Sequence, residues 1–270
     1  MGYEFNLFVS EIETAILILS SDNRLIIEKI KKMISIHGYK ATEAGTVIIN
    51  DEYFDIQDNV LKKNETNLRI RTTNNESIKI TLKQDKEKNE EYFDRIEMEK
   101  SWSHLFYEEL VNKLEVISDQ FQYSRNKYDD DPKKTFCNLG LNTILEKETK
   151  RSIINAVNDT TSQLEFEFAF DYVTVFAKSK NPIGFLELEI ESKSKGNQTK
   201  INQFVKDIIK DDFFRQWSYN KLETGLAAIH LYEKNELEES KDYDKDHILT
   251  RRGLGKIESY LNNLESNIHS

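Results

Sequence analysis

The feature that most limits what this chain can fold into is a set of short segments in which charged and apolar residues alternate. At 186–191, Glu187, Glu189 and Glu191 oppose Leu186, Leu188 and Ile190; at 165–171, Glu165, Glu167 and Asp171 oppose Phe166, Phe168 and Phe170. Side chains alternate faces along a β-strand, so each segment reads as a strand with one charged and one apolar face. Other segments carry bases in the same rhythm: Arg69 with Arg71, and Lys79 with Thr81 and Lys83. Arg95, Glu97 and Glu99 share a face, as do Glu11, Glu13 and Ala15 near the start. Taken singly, a charged face points to water, as in any half-buried antiparallel sheet. Taken together, acid-bearing and base-bearing strands can close into a barrel with a charged interior and an apolar exterior covered by helices.

The remaining segments supply those helices. A helix is expected over 22–37, capped by Asp22, with Ile26, Ile30, Met33 and Ile34 on one face and Gly38 as its stop. Another is expected over 103–118 with Phe106, Leu110, Leu114 and Ile117, and a third over 199–211 with Phe204, Val205, Ile208 and Ile209. Strands are expected at 46–56, at 68–72 and 78–83 around the turn TNNES, at 92–99, and near 144–157, 163–176 and 184–192. The stretch 124–134, SRNKYDDDPKK, reads as a solvated loop, and 233–246 as a polar linker or frayed helix. A last amphipathic helix, 254–268, carries Ile257, Tyr260, Leu261, Leu264 and Ile268; packing on its own domain is favoured over a homodimer or partner contact. The fold class is α+β.

Charge then bounds function. The net charge is −10, which argues against a general binder of nucleic-acid duplexes, since phosphate backbones demand a basic surface. Any polyanion must be held where Lys and Arg are concentrated. Only 9 Gly and 2 Pro are present, with no glycine pattern of a phosphate or dinucleotide loop. Cys137 stands alone and the five histidines are scattered, so neither a disulfide nor a Cys/His zinc site is expected. No signal-like or membrane-length apolar run is seen, and a cytoplasmic protein without membrane contact is expected.

Carboxylates clustered on neighbouring strands repel unless a cation or protons intervene. A hard divalent ion with oxygen ligands, Mg²⁺ or Mn²⁺, fits that need better than zinc. Clustered Arg and Lys require an anion, and guanidinium forks match phosphate oxygens. Metal, anion and enclosure together imply a metal-bound phosphate chain.

The order of these motifs resembles the CYTH domain and triphosphate tunnel metalloenzyme superfamily. Glu11-Ile-Glu13 resembles its E-x-E-x-K opening, and 52–84 its Y-x-D…L-R-x-R…L-T-L-K block. DRIEMEK resembles the R-x-E-x-E strand, Arg151 sits at a basic strand position, and FAFDYV places Asp171 at the late aspartate. GFLELEIES resembles the late E-x-E strand, and WSYNKLETGL the closing S-K-x-x-x-G-L, with Lys221 as its lysine. The resemblance spans about residues 5–229, leaving 230–270 as a polar linker and C-terminal amphipathic helix.

It implies an eight-stranded antiparallel β-tunnel with flanking helices, acting on a triphosphate-containing small molecule. It assigns Glu11, Glu13, Asp171, Glu187 and Glu189 to metal, with Glu191 as a further addition. It assigns Arg69, Arg71, Lys83, Arg95, Arg151 and Lys221 to the phosphates, and Glu97 and Glu99 to metal or to orienting the bases. Glu11, Glu13, Arg69 and Arg71 would carry the catalysis, an in-line attack of water on a terminal phosphoryl group. One position departs: the lysine of E-x-E-x-K falls at Ala15. Another base fills the space, or the substrate differs, or the domain binds without turnover. Metal-dependent triphosphatase is therefore the first reading, with a non-catalytic nucleotide or polyphosphate module and a class IV-type adenylyl cyclase as alternatives.

Overall fold

The structure, a computed structural model, describes residues 9–20, 22–88, 93–121, 126–177, 182–194 and 197–268, with the side chains of 9–12, 85–88, 93–95, 265, 267 and 268 outside the description. Nine strands and seven α-helices are formed among them. The strands are β1 (Val9–Ile18), β2 (Tyr39–Asp55), β3 (Thr66–Thr73), β4 (Ser77–Lys88), β5 (Phe93–Ser101), β6 (Asn142–Asn158), β7 (Leu164–Phe176), β8 (Pro182–Ser192) and β9 (Phe214–Trp217). The helices are α1 (Asn23–Ile36), α2 (Val60–Lys63), α3 (His104–Ile117), α4 (Pro132–Asn138), α5 (Gln198–Ile208), α6 (Lys221–Glu233) and α7 (Arg251–Ile268). This is the expected α+β class, an antiparallel sheet with flanking helices, but with nine strands in place of the eight of a closed tunnel. No described helix is long and apolar enough to cross a membrane.

The described residues divide into two compact units, each built from separated segments: 9–11, 48–88 and those within 93–146 in the first, and those within 12–47 and 147–268 in the second. In the first unit β3 is an antiparallel neighbour of both β2 and β4, and β4 pairs on with β5. The β3–β4 turn uses Asn74 and Asn75 at φ of 50° and 57°, left-handed conformations that Asn tolerates and hairpins need. The apolar face of this unit is Leu68, Ile80, Leu82 and Met98, covered by Phe106, Leu110 and Leu114 of α3 and by Phe136 of α4. Helix α4 begins in the last residues of the stretch read as a loop and runs beyond it: Asp131 caps it, accepting from the Lys133 N–H at 2.9 Å, and Pro132 opens it. The aspartate run there thus serves a cap and a turn.

In the second unit β8 lies between β7 and β1, and β1 also pairs with the short β9. Phe166, Phe168 and Phe170 of β7 and Leu186, Leu188 and Ile190 of β8 form one buried face with Ile26, Ile30 and Ile34 of α1 and Ile201, Phe204, Val205 and Ile208 of α5. Asp22 caps α1 by accepting from the Leu25 N–H at 3.0 Å, and Gly38 ends it at φ +83°. Ile209, expected on the inner face of α5, caps its C-terminus and is partly exposed. Strand β2 begins seven residues before its expected start at 46. Helix α7 packs on α6, burying Leu254, Ile257 and Leu261 and stacking Tyr260 on His230, as the favoured reading of that helix holds.

Candidate functional site

The charged faces of the two units are built by strand register. In the second unit β1, β8 and β7 align Glu13, Glu191 and Glu167 in one row, Ala15, Glu189 and Ala169 in the next, and Leu17, Glu187 and Asp171 in a third. Glu13, Asp171 and Glu187 are 6%, 1% and 1% exposed, so these acids leave water and must be compensated. The small side chains of Ala15 and Ala169 flank Glu189 on both sides.

The compensation comes from Arg151 on β6 and Lys221 at the first position of α6. The Lys221 ammonium lies 2.5 Å from Glu187 Oε1, 2.6 Å from Glu189 Oε2 and 3.2 Å from Asp171 Oδ2. The Arg151 fork donates to both oxygens of Asp171 at 2.8 and 2.7 Å and to Glu189 Oε1 at 3.0 Å. Lys221 is held there by the start of α6: Asn220 accepts from the N–H groups of Leu222 and Glu223, and Glu223 accepts from the Asn220 N–H. Burial works against the Lys221 and Arg151 charges, but the surrounding carboxylates outweigh it and raise both pKa values. Burial pushes the Glu187 carboxyl up, against the pull of Lys221. Lys193 bridges the first row, 2.7 Å from Glu191 and 3.4 Å from Glu167.

The first unit gathers bases instead. Arg71 donates to both oxygens of the buried Asp51 at 2.7 and 3.0 Å, and Arg69 Nε lies 3.6 Å from the same carboxylate. Arg69 Nη1 donates to Tyr53 Oη at 3.2 Å. Lys83 pairs with Glu97 at 2.7 Å and Lys79 with Glu99 at 2.8 Å, while Thr81 donates to Glu99 at 3.0 Å. The Arg69 guanidinium, though buried, is held far above its ordinary range by Asp51. Burial raises the Glu99 carboxyl, but the Lys79 hydrogen bond and the Arg71 charge overcome it and hold the group below its usual value.

Of the expected site residues, Asp171, Glu187, Glu189, Arg151 and Lys221 are therefore brought together in the second unit, with Glu13 and Glu191 on the same face. Arg69, Arg71, Lys83, Glu97 and Glu99 are brought together in the first. The side chains of Glu11 and Arg95 lie outside the described residues. Three charged residues were not singled out from sequence. Asp51 faces Arg71 across the β2–β3 ladder, and its position two before Tyr53 was the available signal. Lys147, 4% exposed, shares a face with Thr149 and Arg151 by the same alternation. Lys193 follows the end of β8. Asp55, part of the Y-x-D motif, accepts from the N–H groups of Ile56, Leu61 and Lys62 and serves the turn into α2.

The acid cluster fits a hard divalent cation by its donor chemistry: every candidate ligand is a carboxylate, and Glu187 Oε2 is buried without a hydrogen-bond partner. Among the described residues no group of three such side chains is already disposed as a coordination shell. The Lys221 ammonium is what the three carboxylates surround.

Solved structures similar to this chain include HpAC1 from Hippeastrum, a candidate adenylyl cyclase described as having a dominant triphosphatase activity (13% identity, 84% of this chain and 97% of that one, TM-score 0.46). They also include a candidate adenylate cyclase from Bacillus halodurans (21% identity, 79% and 97% covered, TM-score 0.44). A third is the Pct1 RNA triphosphatase of S. pombe (10% identity, 84% and 82% covered, TM-score 0.34). A search of curated proteins finds no match. The model of the CYTH domain matches residues 22–209, which is most of the chain, and the chain belongs to the CYTH domain family.

Proposed function

We propose that this chain hydrolyses a triphosphate, tripolyphosphate or a nucleoside triphosphate, with the help of Mg²⁺ or Mn²⁺. The observation that carries the reading is the convergence of Asp171, Glu187 and Glu189 on Lys221 and Arg151. Three carboxylates, Asp171 and Glu187 buried and Glu189 partly so, against two bases leave a net negative charge that suits a hard cation, and the two bases suit phosphate oxygens. Glu13, Asp171, Glu187 and Glu189, with Glu11, are the residues that would hold the metal. Bound there, the ion would neutralise phosphate charge and make a bound water more acidic. Lys221 and Arg151 bind phosphate oxygens and orient the chain for in-line attack by water; Arg69, Arg71, Lys83 and Arg95 are further phosphate-binding bases.

The cluster also bears on Ala15. Position 15 adjoins Glu189 in register, and Glu189 already receives both Lys221 and Arg151. Lys221 is the closing lysine of the motif set, so this carboxylate is paired even without a lysine at position 15. The second reading, a nucleotide- or polyphosphate-binding module without turnover, is favoured by the same geometry, since the chain's own bases hold the carboxylates.

The deciding experiment is phosphate release from tripolyphosphate, ATP and GTP by purified protein with Mg²⁺, Mn²⁺ or EDTA. Metal-dependent release is expected, and the substrate ranking names the substrate. No release, alongside a clear thermal shift from the same ligands, assigns the binding module. Cyclic AMP formed from ATP would assign the cyclase.

A further inference from the structure

Lys221 reaches the carboxylates from the first position of α6, so its ammonium lies where the corner between β9 and α6 puts it. That corner, 218–220, is fastened to α7. Just before it, Arg215 of β9 pairs with Glu258 of α7. Within it, Tyr219 is buried, sets its ring edge-on to Trp217 with centroids 5.5 Å apart, and donates from its hydroxyl to Asn262 Oδ1 of α7 at 2.5 Å. Trp217 Nε1 in turn donates to Thr224 Oγ1 at 2.8 Å, tying β9 to the first turn of α6. Just past the end of α6, the backbone oxygen of Glu236 accepts from Lys256 of α7 at 2.7 Å. Helix α7 therefore holds α6 at both ends.

The segment between the two helices is tied to the strand that carries the acids. The Gly184 N–H of β8 donates to the His247 backbone oxygen at 2.8 Å, and the Leu249 N–H donates to the Gly184 oxygen at 2.7 Å. A Cβ at Gly184 would lie 2.8 Å from Val173 O and 2.9 Å from Ile248 Cδ1, so this close approach requires the glycine. The buried Asp242 then sets α7 in place by accepting from Lys256 at 2.7 Å. The residues past 230 are thus fixed both to the strand of Glu187 and Glu189 and to the corner that aims Lys221. A displacement of about 1 Å at a binding group can cost on the order of 10²-fold in turnover, so what holds that corner matters to the site.

We infer that α7 belongs to the phosphate-binding apparatus: Tyr219 and Asn262 are positioning residues for Lys221 and act on a bound triphosphate only through it. The inference rests on the reading of Lys221 as a phosphate-binding base.

The test is a double-mutant cycle on the full chain, read by calorimetric titration with adenylyl imidodiphosphate, a triphosphate whose terminal bridge resists hydrolysis, in the presence of Mg²⁺. Tyr219→Phe removes the hydroxyl and leaves the ring against Trp217, and Asn262→Ala truncates an exposed side chain, so neither empties the core. Each should weaken binding about tenfold, the scale of one hydrogen bond. Asn262→Asp still accepts from Tyr219 and should restore parental affinity. In a Lys221→Met background neither substitution should weaken binding further, because the group they position is gone. Parental affinity in both Tyr219→Phe and Asn262→Ala overturns the inference whether or not Lys221→Met folds, as does an equal loss with and without Lys221; both leave the reading of Lys221 standing. Binding by Lys221→Met as tight as by the parent removes that reading, and the inference with it.

Discussion

The two charged clusters are built by the same strand grammar and reach opposite electrostatic ends. In the first unit one buried carboxylate, Asp51, serves two guanidinium groups, and Lys79 and Lys83 each take one glutamate, a balance of four bases to three acids. In the second, Asp171, Glu187 and Glu189 share Arg151 and Lys221 while Glu167 and Glu191 share Lys193, five acids to three bases, with Glu13 beside Glu191 in register. Register alone does not decide which kind of ion a cluster suits. The surplus sign does, and the surplus follows from which residue type occupies the charged face of each strand.

The largest expected effect comes from Lys221→Ala, which removes the cation that three carboxylates share. Breaking buried pairs in this way costs about 3–5 kcal/mol, read by denaturant unfolding. Turnover should fall by about 10²–10³. Mn²⁺ should stabilise the variant more than the parent, because the uncompensated carboxylates gain the ion. An equal effect of Mn²⁺ on both breaks the contrast, since the second unit would then not be the cation-seeking one.

Asp51→Asn addresses the first unit. It leaves Arg69 with Tyr53 at 3.2 Å and Glu97 at 3.9 Å, and Arg71 with Glu99 at 3.9 Å, and a destabilisation of about 3 kcal/mol is expected. Tripolyphosphate should now raise the melting temperature of the variant more than that of the parent. If the shift is the same, Arg69 and Arg71 do not face the anion.

The comparison sharpens in the pH dependence, where the signs differ. Glu187 is raised by burial, so the folded protein holds its proton more tightly than the unfolded chain. Its ionisation penalty is absent in acid and grows as pH rises through the folded value, so Glu187→Gln should help stability at neutral pH and lose that benefit toward pH 4. Glu99 is lowered by Lys79 and Arg71 despite its burial, so its contribution is present above the ordinary glutamate range and is lost as pH falls. Glu99→Gln should cost stability at neutral pH and little in acid. Unfolding free energies of both variants across pH 4–8 decide it; slopes of the same sign would show that the two carboxylates are held alike.

Much of this was legible because period-2 alternation is a local signal. The sharing of Phe166, Phe168 and Phe170 with Leu186, Leu188 and Ile190 in one core, and of Asp171 with Glu187 and Glu189 on the opposite face, follows from it directly. Pairing partners were less legible. Asp51 acquires its role only once β2 lies beside β3 and sets it against Arg71, a contact twenty residues away. Strand β9 has four residues, too few to show a period, and α6 buries Leu222, Gly225, Ala227, Ala228 and Leu231, which cover more than one side of the helix. Lys221 was therefore placed by its motif without the helix that aims it.

The smallest effect on turnover is expected where the sequence departs most visibly from its family pattern. Ala15 is 5% exposed, between Glu189 on β8 and Trp217 on β9. A lysine there must thread four methylenes past close-packed neighbours, at about 1 kcal/mol of strain. Its ammonium would reach a carboxylate whose two oxygens already accept from Arg151 and Lys221. A third cation at one carboxylate gains little and competes with a divalent ion for the same oxygens. Ala15→Lys should thus leave turnover with tripolyphosphate within about threefold of the parent and weaken the apparent Mg²⁺ affinity. A tenfold gain in turnover would mean that the pairing of Glu189 with Lys221 and Arg151 is not enough, and that the acid-rich unit is short of a base after all.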